Sequence, residues 1–207
     1  MKISFFYQIN HYPLYMKNFI ASPTKMGTVL PSSRWLCNTM LNNIDWRNSY
    51  KIAEIGAGNG VITQYILQRM SSLAYLELYE INNDFIKILQ KIDDHRTTIH
   101  HCSAEYLSGD YDIVISGIPF RSLRKKMGMK ILKKVQERLI KNNGSLILFQ
   151  YTQGCESMFS RYFSFTKKRV YLNFPPAWVY TCKPKLDSDD WSSDNKSTVM
   201  NIYDMSP

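Results

Sequence analysis

The chain has 207 residues, 44% of them hydrophobic, enough for one complete core and short for two. Its formal charge of +9 implies an anionic partner, either nucleic acid phosphate or an anionic lipid surface, against the plainer reading of a solvated helix face. Four scattered cysteines without a C-x-x-C pair argue against a metal site and a disulfide framework, and no apolar run approaches the roughly 20 residues that span a bilayer.

A reducing, cytoplasmic location is therefore expected, since the first residues also lack the apolar run of a signal peptide. Residues 1–24 mix Phe5, Phe6, Tyr7, Tyr12, Tyr15 and Phe19 with Lys2 and Lys17, a composition suited either to a lipid headgroup boundary or to a helix covering the core. Pro13 interrupts any single helix there.

Residues 51–55 read as a strand feeding glycines, and 61–70 as a helix with Val61, Ile62, Tyr65, Ile66 and Met70 at helical spacing. A strand over 76–80, a helix over 84–92 and strands over 97–102 and 112–116 follow. Residues 127–140 form a basic amphipathic helix that Asn142, Asn143 and Gly144 should end, and 145–151 a fifth strand. Strands over 168–173 and 178–182 are separated by only four residues, too few for a crossover helix, so they must pair antiparallel. The alternation predicts an α/β, doubly wound, mostly parallel sheet of seven strands closed by an antiparallel hairpin. Such a sheet resembles the Rossmann-like fold of class I methyltransferases, with the domain over 25–186 and a polar, acidic tail over 187–207.

The basic excess is local. Residues 111–186 carry fifteen Lys and Arg against three acids, and Arg121, Arg124, Lys125, Lys126, Lys130, Lys133 and Lys134 fall within one short stretch.

EIGAGNG, residues 54–60, places glycines at 56, 58 and 60 after a strand. A dinucleotide fingerprint needs a glycine where Val61 stands, and Glu54 would repel a pyrophosphate. A cation suits Glu54 better. S-adenosylmethionine has no phosphate and carries a sulfonium and an α-ammonium, so Glu54 can attract it while Gly56, Gly58 and Gly60 let backbone approach the adenosine. Glu80 ends the next strand where a carboxylate can accept both ribose hydroxyls. Ile55, Ala57 and Ile81 flank these positions and complete the stretch expected to touch the cofactor. Ala104 or Glu105, after the third strand, could bind the adenine amine, against the plainer reading of Glu105 as a surface residue at a turn.

Ser116, Gly117, Ile118, Pro119 and Phe120 end the fourth strand abruptly, at the edge where open α/β sheets bind ligands. Enzymes that methylate an adenine amino group usually carry Asn or Asp ahead of a Pro-aromatic pair, and Gly117 stands where that amide would be. A primary alkyl amine does not need it, because once deprotonated it is already a good nucleophile. Ser116 and the carbonyls of Gly117 and Ile118 could align such a nitrogen, Ser116 also lying beside the cofactor, and Phe120 could cover it by a cation–π contact. The bland reading is a turn that merely ends a strand.

These stretches together, with FIASPTKMGTVLPSSRWLCNTM (19–40), LYEIN and GSLILFQYT, resemble the bacterial phospholipid N-methyltransferase family, related to ribosomal RNA adenine dimethyltransferases. The resemblance spans about residues 15–182, and its most discriminating pieces are Pro23, Gly27, Pro31, Ser32 and Ser33 together with Ser-Gly-x-Pro-Phe. It implies an S-adenosylmethionine-dependent enzyme converting phosphatidylethanolamine toward phosphatidylcholine, peripherally bound to the inner face of the membrane; the sequence leaves the oligomeric state open, with a monomer as the expectation. It also implies that Gly27 to Ser33 close over the methionine end of the cofactor. Tyr15, Tyr151 or a water could take the amine proton. The rivals are an RNA methyltransferase, for which the charge speaks and the absence of room for a helical RNA-gripping domain does not, a soluble small-molecule amine methyltransferase, and an inactive cofactor-binding scaffold.

Overall fold

The computed structural model describes residues 33–186. The expected N-terminal segment 1–24 and tail 187–207, with Tyr15 and Gly27, lie outside the described residues. The elements run α1 (Arg34–Leu41), β1 (Lys51–Ile55), α2 (Val61–Leu67), β2 (Tyr75–Glu80), α3 (Asn83–Leu89), β3 (Thr97–His101), β4 (Ile113–Ser116), α4 (Lys125–Ile140), β5 (Ser145–Gln150), α5 (Glu156–Phe159), β6 (Phe163–Val170) and β7 (Ala177–Pro184). Single 3-10 turns lie at Ala104–Tyr106 and Phe120–Ser122.

The strands form one seven-stranded sheet in the order β3-β2-β1-β4-β5-β7-β6. β1 pairs in parallel with β2 and β4, β2 with β3 and β4 with β5, whereas β7 runs antiparallel to both β5 and β6. The expected α/β sheet closed by a hairpin is therefore the observed one. The order reverses between β1 and β4, and in open sheets of this kind the crevice outside the strands' carboxyl ends at that reversal is the ligand site.

Alternation along the strands divides the core between the two faces. Ile52, Ile113, Ile115, Ile147 and Val179 pack with Leu36, Met40, Ile62, Ile66 and Leu89, so α1, α2 and α3 cover one face. Ala53, Ile55, Val114, Leu146, Leu148 and Tyr180 pack with Leu132, Val135, Leu139 and Phe159, so α4 and α5 cover the other. Full burial of each such aliphatic side chain stabilises the fold by roughly 1.5–3 kcal/mol. In α4 the inward stripe is Ile131, Leu132, Val135 and Leu139, and the lysines take the outer face. Asn143 then adopts φ 48°, the left-handed stop that its position after the helix requires.

Three elements differ from the sequence reading. α1 was not anticipated, although Ser33 caps it and Leu36, Cys37, Met40 and Leu41 are buried at helical spacing. β6 runs over Phe163–Val170 and not over 168–173, because residues 171–176 are consumed by the turn. Asn173 fixes that turn: its Nδ2 donates to the Pro175 carbonyl at 2.7 Å, and its Oδ1 accepts from the Ser33 amide at 3.1 Å. The antiparallel pairing holds, with Val170 opposite Ala177. The short α5 also falls where no helix was expected.

Candidate cofactor and acceptor site

β1 ends at Ile55, and the chain then turns through Gly56, Gly58 and Gly60 at φ 70°, 57° and 80°. At these angles a β-carbon is strained, so three glycines at alternate positions are a backbone requirement, and Gly60 doubles as the N-cap of α2. The amides of Gly56 and Ala57 donate to the Tyr79 carbonyl at 2.7 and 3.4 Å, which ties this loop to β2.

Glu80, at the end of β2, completes the tie. Its Oε2 accepts from the Gly58 amide at 2.9 Å, and its Oε1 accepts from the amides of Ile81 and Asn82 at 2.8 and 2.9 Å. A carboxylate offers about four acceptor positions. Glu80 thus holds the glycine loop and the start of the next loop while one position on Oε2 is left for a ligand hydroxyl. Asn82, which the sequence reading did not single out, caps α3 by accepting from the amides of Asp84 and Phe85. The carbonyl of Ile81 faces Nε2 of His101 at 3.2 Å.

Glu54 lies on the α1–α2 face of the sheet and has no exposed surface. Its Oε2 accepts from Thr63 Oγ1 at 2.6 Å, whereas Oε1 is buried with no hydrogen-bond partner among the described residues. Burial pushes the carboxyl up to about 8, the nearby Glu80 charge adds to the rise, and the Thr63 hydroxyl opposes it. The thiol of Cys37 is in turn pushed up to about 11, by burial first and by the charge of Glu54 second. An unpaired, fully buried carboxylate oxygen costs several kcal/mol when ionised and is matched by a cationic hydrogen-bond donor. The α-ammonium of S-adenosylmethionine is such a donor, and the residues present fit it. Thr63 was missed in the sequence, where nothing distinguishes it from an ordinary helix residue.

The loop after β4 lies against the glycine loop. Ile55 and Ser116 are register partners, and the Gly117 amide donates to the Ile55 carbonyl at 2.9 Å. A β-carbon on Gly117 would stand 2.5 Å from the Gly56 carbonyl oxygen. Ser116 is fully buried, and its Oγ accepts from the Ile118 amide at 3.2 Å. Gln150, at the end of β5, donates Nε2 to the Ile118 carbonyl at 2.9 Å, which takes one of the two acceptor positions of a carbonyl expected to align an acceptor nitrogen. A polar residue closing an apolar strand was the available signal for Gln150. Pro119 leads into the 3-10 turn, which carries Phe120 inward, edge-on to Phe159 with ring centroids 5.6 Å apart. Phe120 is buried in the α4–α5 core and presents no face at the crevice, because its ring fills the space beside Gly128.

Ala104 is buried at the start of its 3-10 turn, which Ser103 caps by accepting from the Glu105 amide. The Glu105 side chain pairs with Lys130 of α4 at 3.6 Å. Ser33 is the N-cap of α1, its Oγ accepting from the Leu36 amide at 3.3 Å. Tyr151 follows β5 and stacks edge-on with Phe149 at 5.7 Å. Among the described residues no group of three or more His, Cys, Asp and Glu side chains could hold a metal ion.

Known proteins resemble this chain in sequence and in fold. The chain is 25% identical over 191 residues to an ornithine lipid N-methyltransferase of Singulisphaera acidiphila, an alignment that covers 84% of this chain and 97% of that protein. Its fold matches N-methyltransferase NodS of Bradyrhizobium japonicum, solved with S-adenosylhomocysteine, at TM-score 0.66 and 8% identity over 84% of this chain and 98% of the other. It matches a precorrin-6y C5,15-methyltransferase of Geobacter metallireducens at TM-score 0.59 and 16% identity over 76% and 91%. The profile of the methyltransferase small domain matches residues 28–171, which takes in α1, the glycine loop, both glutamates and the loop after β4. The chain therefore belongs to the methyltransferase small domain family and is an S-adenosylmethionine-dependent methyltransferase.

Proposed function

We propose that the acceptor is the primary amine of a membrane-lipid head group, phosphatidylethanolamine or an ornithine-type lipid, and that the protein works at the cytoplasmic membrane surface. One observation carries this reading: the packing of Gly117 against the Gly56 carbonyl leaves no room for the side-chain amide that an aromatic amino acceptor needs. An adenine amino group is conjugated into its ring and barely nucleophilic, whereas a deprotonated alkyl amine attacks without such help. The alignment with the ornithine lipid enzyme supports the same acceptor class.

S-adenosylmethionine, when bound, supplies an electrophilic methyl on a sulfonium that becomes a neutral thioether on transfer. Glu54 would hold the ammonium through its unpartnered Oε1, and Glu80 would accept a ribose hydroxyl while keeping the glycine loop in place. The loop of Ser116 to Phe120 supplies a rigid wall, since its amides and the Ile118 carbonyl are already fastened to Ile55, Ser116 and Gln150. Rigid positioning of this kind contributes to rate by fixing the attack geometry. The acceptor ammonium loses one proton before attack, to water or to a tyrosine, Tyr151 being the described candidate.

The test is incubation of purified protein with radiolabelled S-adenosylmethionine and, separately, phosphatidylethanolamine vesicles, ornithine-lipid vesicles and bulk RNA, followed by phase extraction. Label in the organic phase is expected. Label confined to RNA would overturn the reading and make the basic half a nucleic-acid surface.

A further inference from the structure

The turn between β6 and β7 exposes Tyr171, Leu172 and Phe174 to 78%, 65% and 73%, three large apolar side chains within four residues. Scattered exposed hydrophobics need no explanation, but a contiguous set at a loop tip marks a contact surface. Its position decides which contact. Gln150, the last residue of β5, is paired with Trp178 of β7, so the turn that precedes β7 projects from the carboxyl edge of the sheet, the edge at which β1 and β4 also end, with β5 between it and β4. The same edge carries the glycine loop and the loop after β4. The bond from the Ser33 amide to Asn173 brings the first turn of α1 to this tip, with Arg34 and the half-exposed Trp35.

On the part of that edge beyond β4 the charge is one-sided, the acids Glu80, Asp84 and Glu105 lying on its β2–β3 side. α4 starts there with Arg124, Lys125 and Lys126, all exposed, and none of the three has an ion-pair partner among the described residues. Its first turn holds no acid and its N-cap side chain makes no hydrogen bond, so three cations sit at the positive end of a helix dipole. That placement is unfavourable in water and favourable against an anionic plane. Lys168 and Arg169 precede the tip on β6, and Arg169 lies over the Trp178 ring at 5.0 Å. Of the three acids in 111–186, Asp112 lies at the opposite edge before β4, Glu137 is in the last turn of α4, and Glu156 is held by Lys167 and Tyr180.

We infer that Tyr171, Leu172 and Phe174 form a wedge that enters the headgroup region of an anionic bilayer, with the cations of the same edge seated on the lipid phosphates. Apolar side chains flanked by Tyr, Trp and Arg are the composition of an interfacial anchor. Docked so, the sheet stands with its carboxyl edge toward the membrane, and a head group can reach the crevice without leaving the bilayer. This orientation rests on the lipid-amine reading for its purpose, but its physical content is separate.

The experiment sediments the full chain with vesicles of phosphatidylethanolamine and phosphatidylglycerol, comparing wild type with the L172D/F174D variant. At least a tenfold loss of vesicle partitioning is expected, with unchanged circular dichroism and unchanged S-adenosylmethionine affinity. Hydrogen exchange on wild type should slow at residues 171–174 when vesicles are added, a readout that does not depend on the variant folding. Equal partitioning of the variant, or exchange at the turn indifferent to vesicles, would overturn the wedge. So would a variant whose main change is a lower melting temperature or loss of self-association, since the turn would then cover residues 1–32 or a second copy. If vesicle binding depends on the wedge while no lipid is methylated, the acceptor reading fails and the docking stands. If lipid is methylated and L172D/F174D binds normally, the reverse holds.

Discussion

The carbonyl oxygen of Gly56 occupies the space into which a side chain at Gly117 would grow, 2.5 Å from the ideal β-carbon position. Two loops from adjacent parallel strands thus meet backbone to backbone. The obstacle is a peptide oxygen and not the flexible end of a side chain, so G117A cannot be accommodated by a rotamer change. The expected outcome is a loss of about 1–3 kcal/mol in stability with weaker S-adenosylmethionine binding, since separating the loops moves the Gly56 peptide. Denaturant titration and calorimetric binding check it, and an unchanged affinity would show that the approach is not part of the site.

Glu80 supports the glycine loop and the start of the loop after β2, and the proposed function makes it a ligand contact as well. E80Q keeps one carbonyl acceptor but turns an amide NH2 toward one of the three backbone donors. Leaving such a donor unmet costs about 1–3 kcal/mol. E80Q should therefore lower both stability and cofactor affinity, whereas a residue serving only the ribose would lower affinity alone. Melting temperature and affinity measured on the same preparation separate the two.

The fold was legible because β4 and β5 are nearly continuous apolar runs and α2, α3 and α4 carry one-sided stripes between strands, so the alternation ordered β1 to β5. The glycine turn of the candidate site was legible because glycine at 56, 58 and 60 and glutamate at 54 and 80 are chemically unusual beside apolar strands. What periodicity could not show was tertiary. Phe120 looked available for a substrate because the sequence does not reveal that Phe159, far along the chain, takes up its ring. Thr63 and Gln150 act through single hydrogen bonds to partners on other elements, and such bonds leave no pattern in sequence. The end of β6 was misjudged because Tyr171 and Leu172 have strand propensity, while the bond from Ser33 to Asn173 favours the turn.

A second polar cluster provides a control away from the site. Tyr111 Oη donates to Glu77 Oε2 at 3.0 Å, lies 3.0 Å from Tyr79 Oη, and accepts from the Gly109 amide at 3.3 Å. Burial, with Tyr79 and Glu77 beside it, raises the Tyr111 hydroxyl far above its ordinary range, so it stays a donor at any working pH. Y111F leaves the Gly109 amide and Glu77 short of a partner and should cost about 1–3 kcal/mol. S-adenosylmethionine affinity should be unchanged, because the Tyr111 side chain touches neither the glycine loop nor the loop after β4, and the Tyr79 carbonyl that holds Gly56 and Ala57 is main chain, which Y111F leaves in place.

Glu54 makes the strongest prediction about pH. Its ordinary value near 4.5 is raised to about 8 in the folded chain, chiefly by burial. Between those values the folded state keeps a proton that the unfolded state releases, so the contribution to stability is full below about 4.5, falls as pH rises, and levels off above about 8. The total change is on the order of 5 kcal/mol at most, and E54Q should lack it. The measurement is the difference in unfolding free energy between wild type and E54Q at pH 5 and pH 8, in which contributions shared by the two proteins cancel. Ligand binding has the opposite sign. An ammonium beside Oε1 favours the carboxylate, so binding at pH 7 should release a proton, visible as a calorimetric heat that varies with the buffer, and wild-type affinity should rise between about pH 6 and 7.5. E54Q should bind about 10- to 100-fold more weakly without that pH dependence, the loss expected when a charged hydrogen bond of about 1.5–3 kcal/mol is removed. Equal affinity of E54Q and wild type across this range would place the cofactor ammonium elsewhere and leave Glu54 a buried acid held by Thr63.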